Sequence, residues 1–178
     1  INQTDDSLEI TDSDVLSAGE RSFSGLLEDI NNSPESGLDI KTNYKFNTQT
    51  DAPFKKEGVG LNIAEGGRYT IEGNNHVIDA DNQANVFKIT GGTAIINNLK
   101  IINCDKSAII LNSCILYTNN VTFENNHDSS EGAAVYASGS NYYSTNDKFI
   151  NNYAKNGASI YALRSIVEVD SSTFKNDK

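Results

Sequence analysis

The chain has 178 residues, 37% of them hydrophobic, with no Trp and no Met, and Asn fills about one position in seven. A formal net charge of -10 and a pI near 4.5 exclude the basic face that nucleic acid or an anionic membrane surface would need. A thick two-layer core of large side chains is excluded too, whereas a narrow core built from many short stacked elements is not.

In chain order, residues 1–20 are rich in Asp and Ser and read as a loose or tethering segment ahead of a single domain over 21–178. Phe23, Leu26, Leu27 and Ile30 fall at i, i+3, i+4 and i+7 and predict a short amphipathic helix. Ser22 or Ser24 can cap its start, and Asn32-Ser33-Pro34 stops it. A helix with one apolar stripe suits the end of a stacked core. Leu38-Asp39-Ile40 and Tyr44-Lys45-Phe46 read as strands.

Repeats follow. Ile101, Phe123, Phe149 and Phe174 align at spacings near 25 residues. Two residues after each comes Asn103, Asn125, Asn151 or Asn176, then Cys104, Asn126, Asn152 or Asp177. Two residues before stand Leu99, Val121, Asp147 and Ser172. Upstream, a second set aligns Leu61, Phe87, Ile110, Val135 and Ile160, with Ala108, Ala133 and Ala158 ahead of the last three. A third set covers 93–97, 114–118, 141–145 and 166–170.

Each period thus holds three short alternating segments separated by turn residues, the signature of strands. A unit of that length and content is one coil of a parallel β-helix, and the chain holds about five. Identical positions then recur one above another. Phe123, Phe149 and Phe174 form an inward apolar column. Asn103, Asn125, Asn151 and Asn176 form a turn column that tolerates left-handed backbone and offers side-chain amides to neighbouring coils. The small Ala column fits where two sheets approach closely.

Cys104 and Cys114, ten residues apart, can form a disulfide or serve as small buried side chains. The chain has no CxxC, and His76 and His127 lie far apart, so the reading includes no metal and no cofactor.

The combined motifs FENN (123–126), FINN (149–152), FKND (174–177), GAAV (132–135) and GASI (157–160) resemble the polymorphic membrane protein repeat of chlamydial surface adhesins. With the leading helix and the stretch 69–101, the chain is also similar to adhesin-like proteins of methanogenic archaea, over roughly residues 20–178. The resemblance implies an all-β, right-handed parallel β-helix of the pectate-lyase type with an N-terminal capping helix. It also implies secretion and attachment at the cell surface, and it supplies no catalytic residues. The sequence departs from the pattern in its broken Gly-Gly pairs and in Asp147, which stands where an apolar residue is expected.

Outward positions carry the candidate binding residues. Tyr136 and Tyr161 fall one coil apart on one face, and Tyr117 and Tyr143 share another column, followed by Glu168. Such pairs either pack across strands or form a platform for sugar rings. Arg164 and Lys88 lie on or near this face and can orient polar ligand groups. The enzymatic rival, a Ca²⁺-dependent polysaccharide lyase or a hydrolase, would draw on Asp79, Asp81, Asp105, Lys106 and Arg164. Asp79 and Asp105 do not share a coil position, however, and Asp79-Ala80-Asp81-Asn82 sits where a turn belongs. Sequons occur at Asn2, Asn31 and Asn120.

The first residue is Ile, the last lies inside a repeat, and no apolar run approaches the ~20 residues of a membrane span, so the chain reads as an excised piece of a longer protein. The expectation is an extracellular, non-enzymatic adhesin module at the cell surface. Its partner would be a glycan or protein of another cell, or a cell-wall polymer. The alternatives are a structural spacer and a glycan-degrading enzyme.

Overall fold

Short alternating segments bury one face only by stacking on copies of themselves, and that is how this chain folds. The computed structural model describes residues 20–178, so the predicted tether, apart from Glu20, and the Asn2 sequon lie outside the described residues. A two-residue strand, β1 (Glu20–Arg21), leads into helix α1 (Phe23–Asn31). The Ser22 hydroxyl accepts the Gly25 N–H at 3.0 Å and is the N-cap. A second cap comes from far along the chain. Buried Asp51 accepts the N–H groups of Phe23 at 2.9 Å, Ser24 at 2.9 Å and Asn47 at 2.8 Å. Phe23 and Leu26 are fully buried, and Leu27 and Ile30 pack on the same core, so the helix closes one end of the stack.

Six turns follow. The first contains β2 (Gly37–Asp39), β3 (Asn43–Lys45) and β4 (Val59–Asn62). The second and third are β5 (Arg68–Asp79) with β6 (Phe87–Thr90), and β7 (Thr93–Ile102) with β8 (Ile109–Asn112). The fourth and fifth contain four strands each: β9 (Ile115–Asn119), β10 (Thr122–Glu124), β11 (His127–Glu131) and β12 (Val135–Ser138), then β13 (Asn141–Thr145), β14 (Lys148–Ile150), β15 (Tyr153–Asn156) and β16 (Ile160–Leu163). The sixth has β17 (Ile166–Asp170) and β18 (Thr173–Lys175) only. Every pairing between turns is parallel, and β4-β6-β8-β12-β16 form a sheet of their own. That sheet has five strands, because the sixth turn adds none to it, and the expected count of about five turns falls one short.

The inward column on β3, β5, β7, β10, β14 and β18 reads Tyr44, Ile78, Ile101, Phe123, Phe149, Phe174. Phe123 and Phe149 are fully buried with ring centroids 5.1 Å apart, and Phe149 stacks on Phe174 at 4.5 Å. The expected Ala column is offset by one at its first member: Ile109 stands opposite Val135, which puts Ala108 beside Ala134, while Ala133 stands beside Ala158.

Two other predicted alignments need correction. Val59, Phe87, Ile109, Val135 and Ile160 share a register, so Leu61 belongs two residues on, with Ile89 and Leu111. Ile110 faces outward between Lys88 and Tyr136. A shift of two keeps a side chain on its face, but a shift of one turns it to the other. Three consecutive branched residues, Ile109, Ile110 and Leu111, conceal the alternation there.

The corners explain the Asn content. Asn103, Asn125, Asn151 and Asn176 all have left-handed backbone, with φ of 58°, 59°, 54° and 56°. A second corner repeats this at Asn98, Asn120, Asn146 and Ser171, and a third at Gly91, Ser113, Gly139 and Arg164. The inter-turn side-chain bonds of the first corner run mainly through the next column. Asn126 Oδ1 accepts the Cys104 N–H at 3.0 Å, Asn152 Oδ1 accepts the Asn126 N–H at 3.1 Å, and Asp177 accepts the Asn152 N–H at 2.7 Å. Both Asn126 and Asn152 are fully buried, so each amide removes a cost that an unpaired backbone N–H would carry.

Asp147 fits the same logic. Its buried carboxylate accepts from the hydroxyls of Thr118 at 2.5 Å and Ser144 at 2.6 Å and from the Val121 N–H at 2.7 Å. Burial holds its carboxyl above the ordinary range, against the pull of those donors. Cys104 and Cys114 are free and buried, and burial pushes both thiols up.

Candidate binding face and groove

An outward strand position in one turn recurs about 4.8 Å away in the next, so outward side chains line up as columns. On the β4-β6-β8-β12-β16 sheet one such column is Gly60, Lys88, Ile110, Tyr136, Tyr161. The rings of Tyr136 and Tyr161 stack at 5.5 Å and 14°. Tyr117 and Tyr143 stack at 4.8 Å and 21°, in a column with Ile95 on one side and Glu168 on the other. This second pair lies on the other large sheet, so the four tyrosines form two separate surfaces and no common platform. A third stack, His127 on Tyr153 at 5.1 Å, lies on the short β11–β15 pair. It escaped sequence reasoning because residues 127–131, HDSSE, carry no strand signal of their own.

Arg164 does not join Lys88. It occupies the left-handed corner after β16, in the column of Gly139 and Ser113. Asp79 accepts from the Asp81 N–H at 2.8 Å and from the Asn103 side-chain amide at 3.1 Å, so its carboxylate holds a turn and its neighbour. Asp81 has φ 53°, a turn conformation. Among the described residues no group of three or more His, Cys, Asp and Glu side chains fits a metal ion.

Asp105 and Lys106 do meet Lys88 and Tyr136. They line a groove of about 480 Å³ whose floor includes Lys88, Ile110 and Tyr136. One wall contains Lys56, Asp105 and Lys106, and the other the corner Asp128–Glu131. That second wall exists because the corner between β10 and β12 is longer than the one a turn earlier, and the register of β11 shifts between Asp128 and Glu131. Asp128 stiffens it: the carboxylate accepts the Ser107 N–H at 2.8 Å, the Ser107 hydroxyl at 3.1 Å and the Ser130 N–H at 2.7 Å. Gly132 closes the corner at φ 63°, where a Cβ would meet the Val135 carbonyl oxygen at 2.5 Å.

Residues 120–138, which include β10, β11 and this wall, match the family model of the Chlamydia polymorphic membrane protein repeat. No curated protein and no solved structure matches the chain. The matched segment lies within the fourth of the six turns. Together with the solenoid it supports a β-helix repeat module of a surface protein. Among the described residues no helix is long and apolar enough to cross a membrane, which says nothing about strands.

Proposed function

We propose that the chain is a non-enzymatic adhesin module at the cell surface, binding a glycan or protein of another cell or a cell-wall polymer. The observation that carries this reading is the Tyr136–Tyr161 stack, whose Tyr136 lines a polar groove. The face of Tyr136 turned away from Tyr161, toward Ile110, is flat and apolar with a polar rim, the surface a sugar ring recognises, and the stack and the sheet beneath hold it in place. The match to a surface-protein repeat supports the location. We read Asp79 and Asp81 as turn residues, since Asp79 accepts the Asp81 N–H and Asp81 has left-handed backbone.

The test is a glycan array probed with the purified protein, with Ca²⁺ and with chelator. The expected result is saturable binding that is lost in the Tyr136→Ala/Tyr161→Ala double variant while its circular dichroism is unchanged. Release of shortened or unsaturated sugar from a bound glycan would replace this reading with that of a lyase or hydrolase. A blank array, with no binding to whole cells, would leave a spacer.

A further inference from the structure

The groove is electrically unlike the rest of the molecule. The chain has 24 acidic residues against 14 Lys and Arg, yet in this groove three ammonium groups, those of Lys56, Lys88 and Lys106, balance three carboxylates, those of Asp105, Asp128 and Glu131. None of the ammonium groups is held tightly. Lys56 lies 3.9 Å from Asp105 and Lys88 lies 3.6 Å from Glu57, both well beyond the 2.7–2.9 Å of a strong charge-assisted bond. Lys106 reaches only the Lys56 carbonyl oxygen, at 3.4 Å. Exposed pairs this long contribute little, so the three cations can turn to an incoming anion at small cost.

The carboxylates behave differently. Asp128 accepts two N–H bonds and a hydroxyl within the wall and faces the Glu131 N–H at 3.3 Å besides. Asp105 already lies beside Lys56. Glu131 alone stands in the groove with a free carboxylate among the described residues, suited to accept a ligand hydroxyl. Lys88, Ile110 and Tyr136 follow one another along one outward column, so the backbone positions of Lys88 and Tyr136 stand about 10 Å apart across an apolar step. One pyranose ring and a charged substituent span that gap.

We infer that the groove selects an anionic sugar residue, one bearing a carboxylate or a sulfate. Lys88 and Lys106 meet the anion, Tyr136 takes the ring face, and Glu131 accepts a hydroxyl. The inference rests on the glycan-binding reading and names its ligand class. The strongly negative surface elsewhere repels such a ligand, which confines binding to this groove.

Calorimetric titration tests it with three probes of equal length: an oligogalacturonate, a neutral oligogalactose and a sulfated oligogalactose. The acidic or the sulfated probe, or both, should bind at least about tenfold more tightly than the neutral one, and the tighter arm identifies the anion. Lys88→Ala and Lys106→Ala should each reduce that affinity about tenfold with no change in melting temperature. Lys155→Ala, outside the groove, should leave it unchanged. Equal affinity for neutral and charged probes, or silent Lys88 and Lys106 variants, would overturn the inference and leave the glycan-binding reading standing. Failure of all three probes, with a blank glycan array, would remove both.

Discussion

Phe149 has a ring above it and a ring below it, and it is fully buried between them. Truncation to Ala leaves a cavity that parallel strands on both sides cannot close. Phe149→Ala should therefore destabilise by about 3–5 kcal/mol in chemical denaturation. Phe174 has the same motif position but is 49% exposed, and its truncation should cost well under half as much. Equal losses at the two positions would refute the column. Asp147 makes a prediction of a different kind. Its folded pKa lies above the unfolded value, so protonation favours the fold. That contribution is complete below the unfolded pKa near 3.8 and is lost as pH rises through the folded value. Asp147→Asn, which keeps the shape without the charge, should gain most over the parent at neutral pH, and the gap should close on acidification. Melting curves from pH 4 to pH 8 would show it, and a gap that widens toward acid would contradict the sign.

The helix and the register belong to the scale of elements. Helix α1 is anchored through Asp51, whose carboxylate satisfies two of its first N–H groups as well as Asn47. Asp51→Ala should cost about 2–4 kcal/mol and raise amide exchange in 23–31 before it affects the third and fourth turns. The helix itself was legible from four apolar residues at helical spacing, because an amphipathic period survives without context. Asp51 was not, since nothing local to APF at 52–54 reveals a cap acting on a segment nearly thirty residues upstream. Most strands were legible as well, β11 excepted, but register was not wherever apolar residues ran together, as at Ile109–Leu111. The groove escaped because its wall at Asp128–Glu131 lies in a corner without strand signal, although the sequence puts Lys88 on or near the face of Tyr136. The Tyr136–Tyr161 register could be read because their segments share the cue Gly-Ala ahead of Val135 and Ile160.

At the scale of the whole molecule, each turn touches only its neighbours, so stability is distributed along the stack. The helix covers one end, whereas Leu163 at the close of the fifth turn and Ile166, Val169 and Phe174 in the sixth are exposed. Amide exchange should therefore show a gradient. Protection should be greatest in β5 to β10 and least in β17 and β18, with the fifth turn intermediate. Uniform protection across all six turns would instead indicate one cooperative block.

The parallel pairing between turns has a mechanical meaning. The backbone hydrogen bonds that join one turn to the next point along the long axis of the stack, and so would a pull on its two ends. Such a load opens the bonds of one turn in sequence and does not shear a whole sheet at once. Each released turn of about 25 residues would yield roughly 80 Å of slack chain. A tether built this way lengthens in steps under tension, and the turns not yet reached keep their shape.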